Sequence, residues 1–176
     1  MNVTIRESQD ADIEAIAPIY ANSVATGTAS WEYEAPSIEE FAQRRREIIA
    51  KGFPYLVASF EGRVIGYAYA SGYRARIGYR FVAEDSVYVH RDFQGKGIGT
   101  LLLNALIREC EARGYRQMIA VIGDSQNAGS IKLHERCGFQ SIGTFRSIGF
   151  KFGRWLDSVQ MARTLGAGST TLPDGG

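Results

Sequence analysis

Glu84-Asp85-Ser86-Val87-Tyr88-Val89-His90-Arg91-Asp92-Phe93-Gln94-Gly95-Lys96-Gly97-Ile98-Gly99-Thr100 decides the reading of this chain. It begins as a strand: Val87 and Val89 alternate with polar neighbours, and Tyr88 adds strand propensity. Glycine then recurs at Gly95, Gly97 and Gly99, and from Ile98 an apolar helical stripe starts, continuing through Leu101, Leu102, Ala105 and Leu106. A glycine turn lets backbone approach a ligand with no Cβ in the way. The first N–H groups of the helix have no partner of their own, and the helix dipole favours an anion there. Lys96 adds a positive charge. The spacing fits neither common phosphate loop: G-x-G-x-x-G would need the third glycine one residue later, and G-x-x-x-x-G-K-[ST] is absent. Without a ligand, the segment is an ordinary strand-to-helix turn.

Working outward, the whole chain has 176 residues, the length of one domain able to bury a core. Its 45% hydrophobic and 22% charged content is that of a globular protein. A net charge of +1 argues against nucleic acid or a membrane surface as partner. No apolar run is long enough to span a bilayer, and Arg6 and Glu7 argue against a signal peptide. Cys110 and Cys137 form no C-x-x-C, so no metal or redox motif is indicated. They read as small core residues of a reducing, cytoplasmic compartment.

Periodicity predicts a strand over residues 3–6 and a helix capped by Asp10, which Pro18 should kink or break. A second helix over 38–49 opens with the capping-box spacing of Ser37 and Glu40. A hairpin over 54–60 and 64–73 precedes an arginine-rich segment, 74–80, of no clear type. After the central strand and main helix come a strand over 116–122, apolar enough for burial on both faces, and a short helix over 127–136. Final strands fall at 139–145 and 158–163. Composition from Gly166 to Gly176 predicts a disordered tail behind a single domain of residues 1–165. The order β-α-α-β-β-β-α-β-α-β-β predicts an α/β (α+β) fold, a mixed sheet with helices on both faces.

Gln94-x-x-Gly97-x-Gly99 resembles the Q/R-x-x-G-x-G/A pyrophosphate loop of the GNAT superfamily of acyl-CoA N-acyltransferases, and the element order is that of its fold. Asn127-x-x-Ser130-x-x-x-His134-Glu135-x-x-Gly138-Phe139 resembles that family's N-x-x-A-x-x-x-Y-E-x-x-G-F, with histidine for tyrosine. Within the superfamily, Ala83-Glu84-Asp85-Ser86-Val87-Tyr88-Val89, Leu133-His134-Glu135 and residues 151–157 resemble the phosphinothricin N-acetyltransferase branch, whose relatives act on methionine sulfoximine and methionine sulfone.

The resemblance implies acetyl transfer from acetyl-CoA to a primary amine in a ternary complex, with no metal. It assigns Glu84 as base, Asp85 being its near competitor. A backbone N–H among Val87, Tyr88 and Val89 becomes the oxyanion donor, and Gln94, Gly95, Lys96, Gly97, Ile98, Gly99 and Thr100 hold the pyrophosphate. Asn127 and Ser130 are candidates for the pantetheine arm, Ser130 equally for a polar helix position. His134 is either the acid that protonates the leaving thiolate or a packed, hydrogen-bonded histidine. Arg74, Arg76, Tyr79 and Trp31 are candidate substrate contacts, since guanidinium forks match phosphinate and carboxylate oxygens. Arg154 and Asp157 read equally as a structural ion pair. The implied partners are a small-molecule amine and a second copy of the chain. Rival readings are another amine acceptor (a polyamine, aminoglycoside or protein N-terminus) and a non-catalytic acyl-CoA sensor.

Overall fold

The computed structural model describes residues 1–174. Strand β1 (Thr4–Glu7) leads through a 3-10 turn, Asp10–Asp12, into α1 (Ile13–Thr26), followed by α2 (Ile38–Ala50), β2 (Tyr55–Phe60), β3 (Arg63–Gly72), β4 (Val82–Val89), α3 (Ile98–Ala112), β5 (Gln117–Gly123), α4 (Ala128–Arg136), β6 (Gln140–Lys151) and β7 (Arg154–Thr164). This is the order read from the sequence. The strands form one seven-stranded sheet, β1-β2-β3-β4-β5-β7-β6. Every neighbouring pair is antiparallel except β4 and β5.

Each face of the sheet has its own core. On one, α3 supplies Leu102, Leu103 and Leu106 against Ala68, Ala70, Ala83 and Met118. Cys110 and Cys137 are buried there as free thiols. On the other, α1 and α2 cover a tier of aromatics. Tyr67 is fully buried, stacked on Tyr55 and Tyr88 at centroid distances of 5.8 and 5.1 Å.

Local chemistry explains most boundaries. Ser37 caps α2 by accepting the Glu40 N–H. Asp10 does not cap α1; Asp12 stands at its N-cap, and its carboxylate closes the preceding 3-10 turn by accepting the Gln9 N–H, and accepts from both terminal nitrogens of Arg6, each at 2.7 Å. Asp10 instead accepts from Arg45 of α2. Pro18 does not break α1, which runs unbroken from Ile13 to Thr26. Pro18 and Glu14 lie on the exposed face, so the carbonyl that loses its i+4 donor is turned toward water.

Three other expectations are corrected. The last two strands extend well past residues 145 and 158 into one long hairpin, with a register shift between Phe145 and Gly149. The exposed apolar positions of that hairpin, including Phe145, Ile148, Phe150 and Trp155, disguise its period. Strand β5 is not covered on both faces, because Val121 is 42% exposed. Residues beyond Leu165, read as disordered, form turns as far as Asp174, with Arg116 donating to Gly168 O, Thr171 Oγ1 and Leu172 O. Gly175 and Gly176 lie outside the described residues.

Candidate active site

The site follows from a break in the sheet. β4 and β5 pair only through Val82–Gln117, Ala83–Met118 and Glu84–Ile119, although both strands continue. Beyond Glu84 they part. A cavity of about 60 Å³ opens between Asp85–Tyr88 on one side and Ala120–Gly123 on the other. The His90 N–H bonds to Ile65 O of β3. By antiparallel alternation the N–H groups of Val87 and Val89 then point away from β3, into the gap. They are backbone donors without a strand to receive them.

A cleft of about 760 Å³ continues from this gap to the start of α3. Val87, Tyr88, Val89, Gln94, Gly95, Gly97, Ile98, Gly99, Thr100, Asn127 and Ser130 all line it. Gly95 and Gly97 have φ of +72° and +83°, and a Cβ built on either would meet nothing within 4 Å. These positions therefore need glycine for backbone conformation and face open space. The first turn of α3 carries no acidic residue, so its positive end is uncompensated. Gln94 Nε2 donates to Val89 O at 3.2 Å and ties the loop back to the parted strand. Lys96 is exposed outside the lining, its ammonium 5.1 Å from the Phe93 ring centre.

Sequence reasoning missed one whole wall. Thr26, the last residue of α1, and Gly27, Thr28 and Ala29 after it line the cleft, as do Lys132 and Arg136 of α4. The two basic residues stand four apart on one helix, a signal that was available. The loop wall gave none, because its anchors are remote in sequence. Thr28 Oγ1 donates to Gly123 O at 2.8 Å, and buried Lys151 donates to the carbonyls of Val24, Gly27 and Ser30 at 2.7, 3.1 and 2.8 Å. Burial depresses the Lys151 pKa, and three carbonyl acceptors satisfy its three N–H donors.

Glu84 and Asp85 point to opposite faces of β4, as neighbours on a strand must. Glu84 is half-buried on the side of Tyr69 and Tyr88. Burial, then the charge of Asp85, raises its pKa to about 7. Asp85 is buried on the α3–α4 side, with Oδ2 3.0 Å from His134 Nε2. The other imidazole nitrogen of His134 lies 2.7 Å from Ser130 O. The Asn127 side chain caps α4 by accepting the Ser130 N–H at 3.2 Å.

The structure does not bring every candidate together. Arg74, Arg76 and Tyr79 sit outside the cleft lining, on the segment before β4. Both guanidiniums are exposed and form no ion pair among the described residues; Arg74 lies over the rings of Tyr73 and Tyr79. Trp31 is close to the gap: its ring covers Gly149 of β6 and its indole nitrogen lies at Gly123, the end of β5. Arg154 pairs with Asp124 rather than Asp157, and Asp157 takes Arg146 and Ser125 at 2.8 and 2.7 Å.

Parted parallel strands, a glycine-rich helix start and a long cleft together form the site. Residues 20–139 match the acetyltransferase (GNAT) family. The chain belongs to that family. Over 171 residues it is 50% identical to phosphinothricin N-acetyltransferase of Alcaligenes faecalis, covering 97% of this chain and 87% of that one. It is 43% identical to an L-methionine sulfoximine/L-methionine sulfone acetyltransferase of Pseudomonas paraeruginosa, covering 94% and 96%. A crystal structure of a GNAT phosphinothricin acetyltransferase from Sinorhizobium meliloti, in complex with acetyl-CoA, superposes with a TM-score of 0.97 at 47% identity, covering 100% and 95%. The protein is thus an acetyl-CoA-dependent N-acetyltransferase. The acetyltransferase's cleft fits its co-substrate: the glycine turn leaves room for a pyrophosphate, and the strand gap for a thioester. Among the described residues no helix is long and apolar enough to cross a membrane, and no cluster of metal-ligating side chains is present.

Proposed function

We propose that the enzyme acetylates the α-amine of a small amino-acid analogue of the phosphinothricin, methionine sulfone or methionine sulfoximine type, with Glu84 as base. The observation that carries the base is its place: Glu84 is the last β4 residue paired to β5, beside the gap, with a pKa raised to about 7. A carboxylate so tuned is half ionised near neutral pH and takes the proton of an ammonium well. Identity of 50% along 97% of the chain to a phosphinothricin N-acetyltransferase supports the acceptor class.

Acetyl-CoA supplies the acetyl thioester. Glu84 removes the amine proton, directly or through a water, and the free lone pair attacks the carbonyl. The N–H of Val87 or Val89 receives the developing oxyanion; its collapse breaks the C–S bond, and the coenzyme A thiolate leaves, taking up the second proton shed by the amine nitrogen. Gln94, Gly95, Gly97, Ile98, Gly99 and Thr100 hold the pyrophosphate at the start of α3, with Lys96 adding charge from outside the lining, and Asn127 and Ser130 border the pantetheine arm. Trp31 walls the acceptor side; Arg74, Arg76 and Tyr79, outside the cleft lining, contact the acceptor only where its acidic end extends beyond the cleft. The exposed apolar positions of β6 and β7, among them Phe145, Ile148, Phe150 and Trp155, support a homodimer through that hairpin. The two unpaired, buried cysteines suit the cytoplasm.

The test is thiol release from acetyl-CoA with L-phosphinothricin, L-methionine sulfone, L-methionine sulfoximine, spermidine and an N-terminal peptide. Saturable turnover on the amino-acid analogues alone is the expected result. Preference for spermidine or the peptide would overturn the acceptor assignment.

A further inference from the structure

Asp85 has no part in the proton transfer just described, yet it is the first β4 residue beyond the last pair with β5. Its side chain is 2% exposed and that of His134 is 5% exposed. Their contact is the one hydrogen bond, among the described residues, that joins β4 to α4 across the parted strands. One wall of the gap is thereby tied to the other: the strand that presents Val87 and Val89, and the helix that presents Asn127 and Ser130.

The proton count on His134 follows from its partners. Ser130 O is a carbonyl and only accepts, so Nδ1 must carry a hydrogen. Nε2 faces a carboxylate oxygen, which also accepts. Two acceptors on one imidazole call for two N–H groups, the imidazolium. The Ser130 hydroxyl also approaches Nδ1, at 3.4 Å, but the Ser130 carbonyl at 2.7 Å is the nearer partner and takes the Nδ1 hydrogen. Phe139 meets it edge to face at 5.0 Å. The thiols of Cys110 on α3 and Cys137 after α4, the nearby titratable groups, are held neutral because burial raises their pKa. Glu84 points to the opposite face of β4.

We propose that Asp85 is a positioning residue: with His134 it forms a fixed carboxylate–imidazolium bridge that sets the opening between β4 and β5 and withholds His134 from proton transfer. The proposal rests on the reading that acetyl transfer occurs at that gap. The direction of the His134 pKa agrees: burial lowers it, but the hydrogen bond and charge of Asp85 outweigh burial and leave it raised. Glu84, beside the gap but outside its lining, is then the group that exchanges a proton near neutral pH.

The chain has only two histidines, so ring-nitrogen NMR of the full-length enzyme gives two sets of signals, with His90 the second. The expected spectrum shows His134 with two ring protons and imidazolium shifts, unchanged across the neutral range in which activity rises. In Asp85→Asn the same ring should be neutral at pH 7, and calorimetry should show acetyl-CoA binding weakened about tenfold, the scale of one charge-assisted hydrogen bond. A wild-type His134 that titrates across the neutral range, or that lacks one ring proton at neutral pH, overturns the proposal. So does an Asp85→Asn variant that binds acetyl-CoA as tightly as wild type. Neither readout requires an acceptor, so failure of the acceptor assignment is seen separately in the thiol-release panel. If Asp85→Asn does not fold, the wild-type spectrum decides.

Discussion

Replacing Glu84 with glutamine should remove catalysis and stabilise the fold, by an amount that depends on pH. The Glu84 carboxyl has an ordinary pKa of 4.5 and a folded-state pKa of about 7, raised first by burial and then by Asp85. The folded state therefore binds its proton more tightly than the unfolded state does. Stability attached to that proton is fully present below 4.5 and is lost as pH rises through about 7. At about 1.4 kcal/mol for each unit of pKa difference, the buried carboxylate costs about 1 kcal/mol near pH 5.5 and about 3 kcal/mol near pH 8.5. Glutamine has the same shape and does not titrate. The advantage of Glu84→Gln should therefore grow by about 2 kcal/mol between those pH values, about 4–8 °C in Tm for a chain of this size. Paired thermal melts at the two pH values measure it. A difference in Tm that stays constant with pH, or shrinks toward alkaline pH, would refute the assignment of a buried, raised carboxyl to Glu84.

Two further predictions concern the loop that walls the cleft. Lys151→Met leaves the carbonyls of Val24, Gly27 and Ser30 without their shared donor; a loss of about 1–3 kcal/mol in a urea melt is expected, together with a higher KM for acetyl-CoA. Gly123→Ala drives a methyl into Thr28 O and to within 2.7 Å of the Trp31 indole nitrogen, so stability should fall by about 1–3 kcal/mol and the acceptor KM should rise in steady-state assays.

Much of this was legible in the sequence, for local reasons. The element order followed from periods of two and of 3.6 residues, and the glycine turn from spacing that only a bare backbone needs. What was not legible depends on residues far apart in the chain. Glu84 and Asp85 alternate on any strand, but only the packing of α1 and α2 on one face and α3 and α4 on the other decides which carboxylate meets His134. The loop at Thr26–Ala29 joins the cleft because Lys151 and Gly123, about a hundred positions later, hold it there. The long β6–β7 hairpin was hidden because its outer positions are apolar, so no alternation marks it. Arg74 and Arg76 were singled out for their chemistry, and they stand exposed beyond the cleft.

The most direct test of Glu84 as the base is the pH dependence of kcat/KM for acetyl transfer to L-methionine sulfone, in wild type and Glu84→Gln. The account predicts a wild-type rate that rises to a plateau through a single ionisation at about 7, and a Glu84→Gln variant that binds acetyl-CoA but has lost that limb. A wild-type midpoint in the ordinary carboxylate range, or the same rising limb persisting in Glu84→Gln, would contradict it.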